Sequence, residues 1–195
     1  MQLRQKISNL FYPVLMAFAA AGKKSILLKP KNMTNSPSFS FYDLQATGSN
    51  GQPFLFENLR GRWVLVVNTA SLCGYTAQYA SLEKLQSKFP LQLQVIGFPS
   101  NDFGNQEPGS NADIAEFCRV SYGIGFPLMD KQPVSGASKQ PVYEWLTNPE
   151  KNGWNNQEPA WNFCKYLISP EGELEGYFAS GVDPLSAEIQ GKLQK

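Results

Sequence analysis

Two apolar runs, Trp63-Val64-Leu65-Val66-Val67 and Leu93-Gln94-Val95-Ile96-Gly97-Phe98, limit what this chain can fold into more than any other feature. Each is short, rich in β-branched or aromatic residues and nearly free of polar alternation, the pattern of a strand buried on both faces of a sheet. Between them, Thr76 to Leu85 places its apolar residues at helical spacing, with Thr76 positioned to cap the first turn. Strand, helix and strand in this order form a crossover whose strands run parallel. The chain is expected to be α/β.

The flanking segments fill in the rest. Phe39, Phe41 and Leu44 precede Asn50-Gly51, a two-residue hairpin turn signal, and Pro53-Phe54-Leu55-Phe56 reads as the return strand. Asn111 to Tyr122 is expected as a helix with Ile114, Phe117 and Cys118 on one face, followed by an extended passage from Gly123 to Asp130. Pro141 to Thr147 reads as a short helix, and Asn148 to Pro159 as a polar connection. Trp161 to Ile168 and Leu174 to Phe178 form an antiparallel hairpin across Pro170-Glu171-Gly172-Glu173, and Pro184 to Leu193 closes the chain as a helix. This order resembles a thioredoxin-like fold: a central mixed β-sheet flanked by helices, with an N-terminal β-hairpin.

Residues 1–38 differ from the domain expected over 39–195. Arg4 and Lys6 precede a mostly apolar run from Ile7 to Gly22 that ends in small residues, the arrangement of a secretory signal cut near Ala21. The run is short for a membrane span. The same segment also fits an organellar transit peptide, since no acidic residue precedes Asp43, or a packed or membrane-associated N-terminal helix. Lys29 to Ser38, with Pro30 and Pro37, reads as a linker. A cleaved signal implies the cell envelope, periplasm or secretion, and its absence the cytoplasm.

Composition matters most for what it excludes. No histidine occurs in the 195 residues, which removes Ser-His-Asp and Cys-His hydrolase arrangements and histidine-based metal sites. Three cysteines, at 73, 118 and 164, are too few and too widely spaced for a zinc ribbon or a disulfide scaffold. A net charge of +1 gives no electrostatic footprint for nucleic acid. Nothing calls for a metal or cofactor.

Cys73 lies in Asn68-Thr69-Ala70-Ser71-Leu72-Cys73-Gly74-Tyr75-Thr76, where the first buried strand meets the following helix. A helix start favours an anion and lowers a thiol pKa, so Cys73 is a candidate nucleophile. The competing reading is a buried cysteine that packs as a small hydrophobe. Without an imidazole, its thiolate would depend on hydrogen bonds and dipoles. The loop from Pro99 to Gly109 leaves the same carboxyl edge of the sheet, where open α/β sheets place their sites. Thr76 stands where a thioredoxin site carries its second cysteine, which disfavours a dithiol oxidoreductase.

Three stretches resemble the signature motifs of glutathione peroxidases: Asn68 to Thr76, Gly97-Phe98-Pro99-Ser100-Asn101-Asp102-Phe103-Gly104-Asn105-Gln106-Glu107-Pro108-Gly109, and Trp161-Asn162-Phe163. The resemblance implies a cysteine-containing, non-selenium peroxidase that reduces hydrogen peroxide or organic hydroperoxides and answers oxidative stress. It further implies that Cys73 is the peroxidatic residue, passing through a sulfenic acid, with Gln106, Trp161 and Asn162 completing a catalytic tetrad. Amide and indole donors suit that role, being uncharged and non-nucleophilic.

Many cysteine-type relatives carry a resolving cysteine in the helix that holds Cys118. An offset of about one residue from that place turns a helical side chain by roughly 100° and would aim it into the core. Thioredoxin ranks slightly ahead of glutathione as the implied reductant. Ser100 stands where many relatives have another cysteine, and Cys164 is expected to be structural. The short passage from Tyr122 to Phe126 implies a monomer. The alternative function is a thiol redox sensor or relay on the same fold.

Overall fold

A computed structural model describes residues 25–32 and 39–194. Its central sheet has five strands in the order β1 (Ile26–Leu28), β7 (Leu174–Phe178), β6 (Lys165–Ile168), β4 (Trp63–Thr69) and β5 (Leu93–Pro99). β4 (Trp63–Thr69) and β5 (Leu93–Pro99) pair in parallel from Trp63↔Leu93 to Thr69↔Pro99, and α1 (Gln78–Lys88) makes the crossover. On its other side β4 meets β6 (Lys165–Ile168) in antiparallel register, and β6 pairs with β7 (Leu174–Phe178). The sheet is therefore mixed, as expected.

β1 (Ile26–Leu28) pairs antiparallel with β7 and covers an edge that would otherwise offer unpaired backbone groups. Lys29 secures it through an ion pair with Glu173 at 2.5 Å. This strand lies ahead of the domain start expected at residue 39, because three residues are too few to carry a readable period. The expected signal, transit or membrane-associated segment falls on residues 1–24, outside the described residues. Among the described residues, no helix is long and apolar enough to cross a membrane.

Successive residues of β4 point to opposite faces and divide the core in two. Val64 and Val66 pack with Phe41, Phe98, Tyr143 and Trp145. Leu65 and Val67 pack with Tyr79, Leu82 and Leu85 of α1, and with Ile114 and Cys118 of α2 (Asn111–Tyr122). α3 (Pro141–Leu146) thus covers one face, while α1, α2 and α5 (Ala187–Leu193) cover the other. Each fully buried large side chain contributes about 1.5–3 kcal/mol.

Several boundaries differ from the sequence reading. Five residues, Gly48 to Gln52, join β2 (Gln45–Thr47) to β3 (Pro53–Leu55), and the bond between the outer two leaves three at the tip, not two. Gly48 N–H donates to Gln52 O at 2.8 Å, Gly51 N–H donates to Gly48 O at 2.8 Å, and Gly51 takes φ +76°. Phe41 belongs to a 3-10 turn capped by Ser40, not to a strand. The polar connection contains a short helix, α4 (Pro149–Asn152).

The largest difference is that β6 begins at Lys165, leaving Trp161 to Cys164 as a turn with Phe163 at φ +62°. Asn68, fully buried at the end of β4, is the cause. Its side-chain amide donates to Trp161 O and accepts from Cys164 N–H, both at 3.0 Å, while its carbonyl accepts from Phe163 N–H at 2.6 Å. These bonds replace the ladder that would have continued the strand.

Candidate active site

β4 and β5 end together, so the turn after β4 and the loop after β5 emerge side by side, and Asn68 brings the Trp161 turn beside them. Cys73 lies within the turn, ahead of the first residue of α1. Thr76 does not cap that helix, whose N-cap is Ala77 with no side-chain bond. Instead Thr76 Oγ1 accepts from Cys73 N–H at 3.1 Å and lies within hydrogen-bonding distance of Ala70 O and Cys73 O. Tyr75 N–H donates to Cys73 Sγ at 3.4 Å. Local amides thus serve where a helix start was expected.

Cys73 is 9 % exposed. Burial pushes its thiol above the ordinary value, opposed in order by Tyr75 N–H, the Asn162 and Trp161 side chains, and Gly74 N–H. The balance leaves the resting group more thiol than free cysteine, against the expectation of a standing thiolate. The donors offset desolvation without overcoming it.

Of the residues expected around the sulfur, Asn162 and Trp161 each favour its anion, while the hydrogen bond formed at Sγ comes from Tyr75 N–H. Gln106 is joined to Asn162, whose Nδ2 donates to Gln106 Oε1 at 3.0 Å. The Gln106 carbonyl also accepts from Leu72 N–H at 3.0 Å, joining the loop to the cysteine turn. Trp161 Nε1 and Asn162 Oδ1 are buried without a hydrogen-bond partner, so a donor and an acceptor remain unsatisfied beside the sulfur. Gly104, at φ +65°, lets the loop close over them; a Cβ there would meet Trp161 Cη2 at 3.4 Å and Gln106 Cγ at 3.5 Å.

Cys118 and Cys164 are also free and fully buried. Cys118 faces the core cluster that holds Cys73, and burial pushes its thiol up to about 11, with the Tyr79 hydroxyl opposing and the Glu107 charge adding to the rise. Cys164 Sγ lies 3.3 Å from Tyr177 Oη and 3.5 Å from Ser180 Oγ, a packed position.

Three further residues escaped the sequence reading. Asn68 looked like the polar end of a strand. Glu107 sits in a polar loop yet is 1 % exposed. Lys165 is fully buried, its ammonium pushed down to about 7 by burial. The detectable signal was a charged residue directly beside apolar ones, in Cys164-Lys165-Tyr166-Leu167-Ile168.

The described site offers one thiol among uncharged donors, with a threonine hydroxyl turned to its own loop where a second thiol would complete a disulfide exchanger. On a thioredoxin-like sheet this defines a thiol-dependent oxidoreductase. The glutathione peroxidase family model matches residues 41–147. Glutathione peroxidase-like peroxiredoxin 2 of Saccharomyces cerevisiae is 42% identical over 80% of this chain and 98% of its own length. Glutathione peroxidase-like peroxiredoxin gpx1 of Schizosaccharomyces pombe is 45% identical over 72% of this chain and 89% of its own. The crystal structure of Trgpx in its apo form superimposes with a TM-score of 0.62 at 31% identity, over 81% of this chain and 97% of that one. The chain belongs to the glutathione peroxidase family, in its cysteine-containing, non-selenium form, and is a thiol peroxidase.

Proposed function

We propose that Cys73 is the peroxidatic thiol, and that this enzyme reduces hydrogen peroxide or organic hydroperoxides. The Cys73 sulfur attacks one peroxide oxygen, the O–O bond breaks, and the thiol proton leaves with the other oxygen as water or alcohol. The product on the enzyme is a sulfenic acid. The observation that carries this reading is the pair of bonds through Gln106, from Leu72 N–H to its carbonyl and from Asn162 Nδ2 to its side chain, which ties the Cys73 turn to the Trp161–Asn162 turn and leaves Trp161 Nε1 and Asn162 Oδ1 buried and unpartnered. An indole N–H donor and an amide acceptor are complementary to a hydroperoxide, which both accepts and donates. As the O–O bond lengthens, the donors stabilise the developing negative charge.

Cys118 then displaces hydroxide from the sulfenic sulfur to give a Cys73–Cys118 disulfide, which a dithiol protein such as thioredoxin reduces. Direct reduction by glutathione is the competing route. Closure needs the Cα atoms within about 6 Å, which requires α2 to unwind. That helix is capped at both ends, by Ser110 with Asp113 and by Gly123 at φ +62°, so opening sets a barrier. The same burial of Cys118 favours a second reading, a relay that hands oxidation from Cys73 to a partner protein before the internal bond forms. The short Gly123 to Phe126 passage supports action as a monomer.

The test is steady-state peroxide consumption with thioredoxin and, separately, with glutathione, for the wild type and Cys73→Ser. Turnover that vanishes in Cys73→Ser while the circular dichroism spectrum is retained is expected; retained turnover overturns the reading. Stoichiometric oxidation without turnover in either assay would favour the relay.

A further inference from the structure

Cys118 can reach Cys73 only if the end of α2 that carries it comes loose, and one face of α1 lies against that end. Cys118 stands five residues before Gly123, which stops the helix at φ +62°. There Gly123 N–H donates to Arg119 O at 3.0 Å and Ile124 N–H to Cys118 O at 3.5 Å. This pair of bonds is a common helix closure, and its outer bond ends on the Cys118 carbonyl itself. The next residue is held from α1: Gly125 N–H donates to Glu83 Oε2 at 2.7 Å, while Ser87 Oγ–H donates to Glu83 Oε1 at 3.4 Å. One turn earlier on the same face of α1, the Tyr79 ring packs on Tyr122, the last residue of α2, with centroids 5.4 Å apart. The Tyr79 ring also meets Phe163, which follows Trp161 and Asn162, edge to face at 5.3 Å. Tyr79, Phe163, Cys73 and Cys118 share one core cluster.

We propose that Glu83 and Tyr79 are positioning residues of the disulfide-closing step: together they latch the C-terminal end of α2, and their release sets how fast Cys118 leaves the core for the Cys73 sulfenic acid. The inference rests on the assignment of Cys118 as the resolving thiol. The latch acts on the position of the chain, ahead of the covalent step. In that step the Cys118 S–H and Cys73 S–O bonds break and the S–S bond forms. The thiol proton and the departing hydroxide leave as water, so no other reactant is needed. The cap formed by Ser110 and Asp113 belongs to the opposite end of α2 and lies outside the latch. Loosening that cap weakens the helix without freeing the turn that holds Cys118.

The experiment is a single-turnover time course: full-length protein with one equivalent of hydrogen peroxide, acid quench and intact mass, for wild type, Glu83→Ala, Glu83→Gln, Tyr122→Leu and Ser110→Ala. In Glu83→Ala the gain of one oxygen should keep its wild-type rate, while the later loss of two hydrogens should run about threefold to tenfold faster, the range that one hydrogen bond covers. Glu83→Gln keeps an acceptor for Gly125 N–H and should close at close to the wild-type rate. Amide hydrogen exchange over residues 118–125 of the reduced protein should rise in Glu83→Ala and not in Glu83→Gln. Tyr122→Leu removes the ring pair from its half-buried side, leaving the Tyr79 ring in the core, and should close at least about twofold faster; a wild-type rate there overturns the part given to Tyr79. A wild-type closing rate in Glu83→Ala overturns the latch. Ser110→Ala takes a similar amount from helix stability, so closure in it as fast as in Glu83→Ala also overturns the latch, reducing the effect to stability at large. A wild type that gains one oxygen and never loses two hydrogens overturns the Cys118 assignment, and the latch with it.

Discussion

Asn162 Nδ2 donates to Gln106 Oε1 at 3.0 Å, and this bond leaves Asn162 Oδ1 buried and unpartnered beside Cys73. The glutamine thus sets which face of the asparagine amide the site presents. Gln106 is not among the groups that lower the Cys73 pKa, while Asn162 and Trp161 are.

Gln106→Ala should therefore lower the rate of Cys73 oxidation by about tenfold, roughly 1.4 kcal/mol of barrier, and Asn162→Ala should lower it further. Because the two residues act as a unit, the double variant should lose less than the sum of the two single losses. Stopped-flow tryptophan fluorescence of reduced enzyme mixed with peroxide measures all three, and strict additivity would count against the coupling.

The Cys73 thiol stands above the ordinary value, held there by burial. Its thiolate fraction, and with it alkylation by iodoacetamide, should rise across neutral pH and continue rising in mildly alkaline solution. Trp161→Phe and Asn162→Ala each remove a group that lowers the pKa, so their rate profiles should move to higher pH. A shift to lower pH in either variant would contradict the assignment of these side chains as donors to the sulfur.

Asn68 holds the Trp161 turn through three bonds, two from its side chain. Asn68→Ala leaves Cys164 N–H and Trp161 O without those partners in a buried place, at a cost of about 2–4 kcal/mol. Urea unfolding should read that loss. Peroxide turnover should fall as well, because the turn that carries Trp161 and Asn162 loses its anchor.

Lys165 donates to Ser180 O at 3.2 Å and Val182 O at 2.5 Å, two bonds that a neutral amine can also make. Its pKa falls from 10.5 unfolded to about 7 folded. Between those values the unfolded chain binds more protons, so this group's contribution makes stability rise with pH. Below the folded value the cost of burying the charge is fully present. The melting temperature should rise from about pH 6 to pH 8.5, by about 3 °C for each kcal/mol relieved. In Lys165→Met that rise should flatten; an unchanged slope would assign the dependence to other groups.

Most of the fold was legible because its central elements are decided by local pattern. The buried runs of β4 and β5, the helix between them and α2 were read from periodicity, and α2 begins and ends at the expected residues, Asn111 and Tyr122. β1 was missed because its reason for being a strand lies in β7, distant in sequence. The first residues expected in β6 became a turn because a side chain on another strand competes for their backbone. Thr76 failed as a helix cap because its hydroxyl is engaged by the cysteine turn.

The sequence by itself determined the α/β order, the motifs that mark the family and, through the absence of histidine, that any acid-base work falls to other groups. Those properties follow from residue identity and short-range spacing, which the chain carries without folding. Only the tertiary structure decided that the Cys73 thiol is raised and not lowered, that Gln106 is bonded to Asn162, and that a glutamate in a polar loop lies buried. Desolvation and the direction of a side chain depend on what distant segments place around a group, and that information exists only once the sheet has brought them together.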